Sequence, residues 1–118
     1  MHSYQKLIVW QKSVLFVTEI YENTKSFPKE EAFSLTNQIR RCVISIASNI
    51  AEGYQRQSRK EFVQFLYISY GGCAELYTQL VLARNLKYIS EQQFITLSQQ
   101  LSEIEKMLNV LTRKLKVK

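Results

Sequence analysis

The sequence predicts an all-α protein, an antiparallel up-down-up-down four-helix bundle, on three observations. Apolar residues recur at steps of three and four through most of the chain, as they must when one face of a 3.6-residue helix turns inward. Only three glycines and one proline interrupt 118 residues, too few to punctuate a fold of many short strands. Two capping boxes, Ser58-Arg59-Lys60-Glu61 and Ser90-Glu91-Gln92-Gln93, open two of the periodic runs, each bringing a serine oxygen and a Glu or Gln to the unpaired amides of a first turn.

Helix 1 is expected over residues 7–24 with Leu7, Trp10, Val14, Val17 and Tyr21 inward, and Pro28 stops it. The pair Glu30-Glu31 favours a helix N-terminus through the macrodipole, so helix 2 is expected over 30–54 with a stripe of Leu35, Ile39, Cys42, Ile46 and Ile50. Helix 3, over 58–86, carries Phe62, Leu66, Ser69, Cys73, Leu76, Leu80 and Ala83. Helix 4, over 90–115, carries Phe94, Leu97, Leu101, Ile104, Leu108, Leu111 and Leu115. Short links make sequential helices antiparallel neighbours. With 46% hydrophobic and 22% charged residues, the chain has the balance of one folded domain spanning 1–118.

Three helices are also apolar on their backs. Helix 1 has Val9, Phe16 and Ile20, helix 2 has Ile44, Ser48 and Ala51, and helix 3 has Val63, Tyr67, Tyr70, Ala74, Tyr77 and Val81. Left open to water these would exceed the apolar patch a soluble monomer tolerates, which points to self-association; a single wide stripe on tightly wrapped helices would give the same pattern. Gly71-Gly72 lies inside helix 3, where small residues permit close helix approach.

The net charge of +6 is uneven. Arg40, Arg41, Arg56, Arg59 and Lys60 face only Glu52 in the segment they span, and Arg113, Lys114, Lys116 and Lys118 crowd the last six residues. Two such regions on an otherwise balanced protein are the footprint of phosphate-backbone contact, although a basic helix C-terminus also answers the helix dipole. On a helical projection Arg40 and Arg41 fall outside the core, available to a partner.

Catalytic and metal sites lack their parts. His2 is the one histidine and there is no aspartate, so neither a Ser-His-Asp triad nor a di-iron bundle site with paired Glu-x-x-His motifs can be assembled, and no glycine-rich phosphate loop occurs. No cofactor or metal is expected. Cys42 and Cys73 sit within apolar stripes, suited to a reducing setting. The opening residues lack a signal peptide and no apolar run is long enough to span a bilayer, so a soluble, cytoplasmic protein without membrane contact is expected. Asn49 and Glu52, at the edges of the helix 2 stripe, are expected to hydrogen-bond across helices, and Gly53 to mark a helix end or close packing.

The elements Leu7-Ile8-Val9-Trp10-Gln11, Phe27-Pro28-Lys29-Glu30-Glu31, Leu35-Thr36-Asn37-Gln38-Ile39-Arg40-Arg41, Ser48-Asn49-Ile50-Ala51-Glu52-Gly53-Tyr54 and Gly72-Cys73-Ala74-Glu75-Leu76 occur in that order. Together they resemble the four-helix-bundle proteins encoded by intervening sequences within bacterial 23S ribosomal RNA genes. The resemblance covers nearly the whole chain; where the family usually has Gly-Ser before the glutamate of helix 3, this chain has Gly72-Cys73. It implies a barrel-like homopentamer and kinship to the accessory protein of diversity-generating retroelements, which associates with a reverse transcriptase and nucleic acid. Its basic positions correspond here to Arg40 and Arg41, with Arg56, Arg59 and Lys60 near the next turn.

The sequence therefore points to a non-enzymatic homo-oligomeric scaffold that binds RNA or DNA through Arg40, Arg41, Arg56, Arg59, Lys60, Arg113 and Lys114, with Asn49, Glu52, Gly53, Tyr67, Tyr70 and Gly72 as structural or interface positions. The competing reading is an adaptor whose basic surface meets an acidic protein or a reverse-transcriptase-like partner.

Overall fold

A computed structural model describes residues 3–116; His2 and Lys118 lie outside them. Among the described residues the chain forms four α-helices and no strand: α1 Ile8–Thr24, α2 Leu35–Gln55, α3 Arg59–Asn85 and α4 Glu91–Lys116. Each packs on the next and α4 returns to α1, closing an elongated four-helix bundle of 47 × 23 × 21 Å. One contiguous core runs through it, with Ile20, Ile39, Ile46, Ile50, Leu66, Leu76, Leu80, Leu97, Ile104 and Leu108 fully enclosed.

The serine caps at the starts of α3 and α4 form as the sequence predicts. Ser58 Oγ accepts from Glu61 N at 3.1 Å. At α4 the box is reciprocal, Gln93 N donating to Ser90 Oγ at 3.0 Å and Ser90 N to Gln93 Oε1 at 2.8 Å. α3 ends in a Schellman motif in which Tyr88 N donates to Ala83 O and Lys87 N to Arg84 O, with Lys87 at φ 65°.

Three expectations about the helices themselves change. α1 is turned over: Val9, Ser13, Phe16, Ile20 and Thr24 are buried, Leu7, Trp10 and Val17 are half-buried, and Val14 and Tyr21 are each 37% exposed. The apolar arc of α1 is wide and carries Ser13 and Thr24 within it, so periodicity alone does not separate the line that is truly inward from its flank. α2 starts at Leu35, not at residue 30. Residues Lys29–Glu31 form a separate single turn after Pro28, and from there Glu31 serves two neighbours, its Oε1 accepting from Leu35 N at 3.3 Å and its Oε2 from the Tyr88 hydroxyl at 2.8 Å. At the end of α4 the buried position is Thr112, with Leu111 and Leu115 half-buried, because the inward face drifts as a straight 3.6-residue helix outruns a seven-residue repeat.

The α2–α3 seam is the tightest in the bundle. A Cβ added at Gly53 would stand 2.5 Å from Phe65 Cβ, and one at Gly72 would stand 3.1 Å from Ile46 Cγ1. Ser69 Oγ, buried, donates to Ile46 O at 2.9 Å across the same seam, satisfying the one hydroxyl that the helix 3 stripe takes into the core. Gly71 differs from its neighbour: nothing lies within 4 Å of a Cβ placed there. Asn49 and Glu52 do not bridge helices. Asn49 Nδ2 donates to Ser45 O and Oγ, and Glu52 pairs with Arg56, all within α2 or its cap, so their side chains are satisfied locally.

Candidate nucleic-acid interface

Antiparallel packing decides where the charges go. α3 begins at Arg59, held by the Ser58 cap, and α4 ends at Lys116, with Arg113, Lys114 and Lys116 in a last turn whose dipole favours cations. Because these two helices run in opposite directions, the two basic stretches, more than fifty residues apart in sequence, meet at one end of the bundle. Lys116 Nζ donates to the Tyr67 hydroxyl at 2.9 Å and lies 5.5 Å from its ring centroid. Arg59, Lys60, Val63, Gln64, Leu115 and Lys116 line an open cleft of about 290 Å³ between the two helices. On the other flank of α4, Lys114 borders an apolar groove of about 300 Å³ whose floor includes Leu7, Val9 and Leu111, so the start of α1, preceded by Lys6, reaches the same end.

That end gathers Lys6, Arg56, Arg59, Lys60, Arg113, Lys114 and Lys116 against Glu52 and Glu61. Arg56 is held in place, its Nη2 3.0 Å from Glu52 Oε2 and its guanidinium 4.8 Å above the Phe65 ring. All seven cations are exposed. Each exposed pair contributes little alone, whereas seven like charges at one end of the bundle produce a field that reaches a Debye length into solvent.

The structure divides the first basic segment in two. Arg40 and Arg41 sit in the second turn of α2, about 22 Å along the helix axis from Arg56 at 1.5 Å per residue. Arg40 is half-buried and tied to α1: its Nε donates to Thr24 Oγ1 at 2.9 Å and its guanidinium lies 4.4 Å from the Tyr21 ring centroid. Arg41 is exposed. Proximity in sequence had joined these two to Arg56, Arg59 and Lys60, and the length of α2 separates them.

The residues missed by sequence reasoning are Val63 and Leu115 as the apolar part of a cationic cleft, Tyr67 beside it as the partner of Lys116, and Lys6 as a further cation at the same end. Val63 and Tyr67 stood in the second seam of helix 3 and Leu115 in the core seam of helix 4; only the pairing of the two helix ends makes them one surface.

Among the described residues no group of three or more His, Cys, Asp or Glu side chains could hold a metal ion, and no helix is long and apolar enough to cross a membrane. The free thiols of Cys42 and Cys73 are buried; Cys42 Sγ donates to Gly72 O at 3.3 Å. Burial first, and then the nearby carboxylates of Glu75 and Glu105 respectively, push both thiols up to about 12, leaving them protonated and unreactive near neutrality.

Fold and site together define a small antiparallel four-helix bundle with one cationic end. The profile of the family described as 23S rRNA-intervening sequence protein matches residues 5–110, and the chain belongs to that family. Among solved structures, the chain is similar to a protein of unknown function from the S23 ribosomal protein family of Bacteroides thetaiotaomicron. The two are 30% identical with a TM-score of 0.83, over 90% of this chain and 99% of that one. No curated protein matches it.

Proposed function

We propose that the protein is a non-enzymatic, homo-oligomeric helical scaffold that binds nucleic acid, RNA foremost, through the cationic end of its bundle. The observation that carries this reading is the meeting of the α3 N-terminus and the α4 C-terminus, which brings Arg59, Lys60, Arg113, Lys114 and Lys116 to the end of the bundle where Lys6 and Arg56 also lie, seven exposed cations in all against Glu52 and Glu61. Binding of this kind rests on counterion release, with little reading of sequence. Arg41 contributes a separate, weaker contact, and Arg40 supports the fold.

Self-association rests on α3. Its outer face exposes Ile68, Tyr70 and Tyr77 around Ala74 and Gly71, and a helix glycine with open space above it costs about 1 kcal/mol for no gain inside the protomer. A second helix laid across Gly71 accounts for that cost, with tyrosine tips that remain satisfiable at the edge. Phe33, 95% exposed between α1 and α2, is a further apolar group that assembly would cover. A ring of five copies, as the family resemblance implies, would repeat the cationic end around one axis.

Light scattering of the native particle followed by RNA binding across a salt series tests both parts. The expected result is a mass several times 13.9 kDa and a plot of log affinity against log salt with a slope of about −3, for roughly four phosphates engaged by each end. Affinity that is flat with salt, or capture of an acidic protein that survives nuclease and displaces RNA, would replace this reading with that of a protein adaptor.

A further inference from the structure

From the cleft between the first turns of α3 and the last turn of α4, we infer that the cationic end is built for an unpaired nucleotide, and therefore for single-stranded nucleic acid in preference to duplex. This rests on the nucleic-acid reading above and names the class of ligand within it. The cleft has two chemically distinct parts. Its floor is apolar, made by Val63 of α3 and Leu115 of α4, both half-buried. Its rim is cationic, made by Arg59, Lys60 and Lys116.

Tyr67 stands one helical turn beyond Val63 on the same face of α3. Its ring is nearly half exposed, and its hydroxyl is engaged by Lys116. The phenol is thus oriented by a partner from the opposite helix while its π surface remains partly open.

A patch that served only a phosphate backbone would need charges on a polar surface; an apolar floor would add nothing to it. A volume of about 290 Å³ lies at the small end of ligand clefts and has room for a base. A base seated on Val63 and Leu115 against the Tyr67 ring places its 5′ and 3′ phosphates beside the cations of the rim. Stacking of this sort accepts any base, because every base has a π face. In a duplex the bases are already stacked and paired, so the floor is out of reach and only the rim is used.

The test measures binding of the full-length protein, at one moderate salt concentration, to a fluorescein-labelled single-stranded RNA, the same sequence as single-stranded DNA, and the blunt RNA duplex. Single strands should bind roughly tenfold more tightly than the duplex, the lower range of what stacking one base on a protein side chain supplies. Leu115→Ser should remove most of that preference while leaving duplex binding within about twofold, since the rim is intact. As a readout that needs no variant, a 4-thiouridine strand should photo-crosslink to the peptides holding Val63, Tyr67 or Leu115. Tighter binding of the RNA strand than of the DNA strand would identify RNA as the source of the nucleotide; equal binding would assign single strands of either sugar, and both outcomes support the inference. Equal, salt-sensitive affinity for strand and duplex would overturn it while leaving the nucleic-acid reading in place, as would crosslinks confined to other surfaces. Failure of all three probes to bind would overturn both.

Discussion

Gly53 and Phe65 meet backbone to side-chain stem where α2 crosses α3, so closely that a methyl group on Gly53 would lie 2.5 Å from Phe65 Cβ. The glycine allows the two helix axes to approach. Phe65 in turn forms the surface on which Arg56 rests at the cationic end, so the packing of the seam and the position of one of the basic residues are coupled. Gly53→Ala should destabilise the protein by about 2 kcal/mol, because overpacking costs roughly 1–3 kcal/mol and outweighs the gain in helix propensity. Chemical denaturation with a constant slope and a lowered midpoint is the expected result.

Gly71→Ala gives the opposite result within the protomer. With nothing within 4 Å of the new methyl group, the isolated chain should gain about 0.5–1 kcal/mol from reduced backbone entropy. If a second helix crosses here, the same methyl group disturbs the contact. Light scattering should show a smaller particle, and the dissociated chain should melt higher than wild type. A particle of unchanged mass would remove Gly71 from the interface.

Arg40→Ala and Arg41→Ala should separate cleanly. Arg40 loses its bond to Thr24 and its place over the Tyr21 ring, which predicts a cost of about 1–2 kcal/mol. Arg41 is exposed, and its removal should change stability by less than about 0.5 kcal/mol. Thermal melts of the two variants distinguish them directly.

Lys87 holds a left-handed conformation at φ 65° that a lysine adopts at a cost. Lys87→Gly keeps both backbone bonds of the Schellman motif and removes the steric penalty. The expected gain is about 1 kcal/mol less the entropy of the more flexible unfolded chain, seen as a rise of a few degrees in Tm.

Stability should fall on the alkaline side. Burial raises the Cys42 and Cys73 thiols to about 12 from the ordinary value of 9.0, and the hydrogen bond to Glu31 raises the Tyr88 phenol above 10.0. Between pH 9 and 12 the native state therefore holds protons that the unfolded state has released, and the free energy of unfolding declines as pH rises. Urea midpoints measured at increasing pH should fall across this range and stay nearly level, as far as these groups are concerned, below pH 8. The combined Cys42→Ala and Cys73→Ala variant should flatten the fall.

The number of helices, their stops and the caps of α3 and α4 were legible in the sequence because they depend on neighbours three or four residues away. Ser58, Ser90 and Pro28 act within one turn, and the expected stripes of α2, α3 and α4 coincide with the buried ones over most of their length. In α1 the inward line carries the polar Ser13 and Thr24, so its orientation was settled by the helices it packs on. The cationic site was half legible: each basic stretch is visible in composition, but their meeting follows from the antiparallel pairing of α3 with α4, and the separation of Arg40 and Arg41 from the rest follows from the length of α2. Local spacing thus determined the helices and their charges. Tertiary packing alone decided which charges share a surface, because that depends on contacts between residues as distant in sequence as Tyr67 and Lys116, and no periodicity within a single helix can encode those.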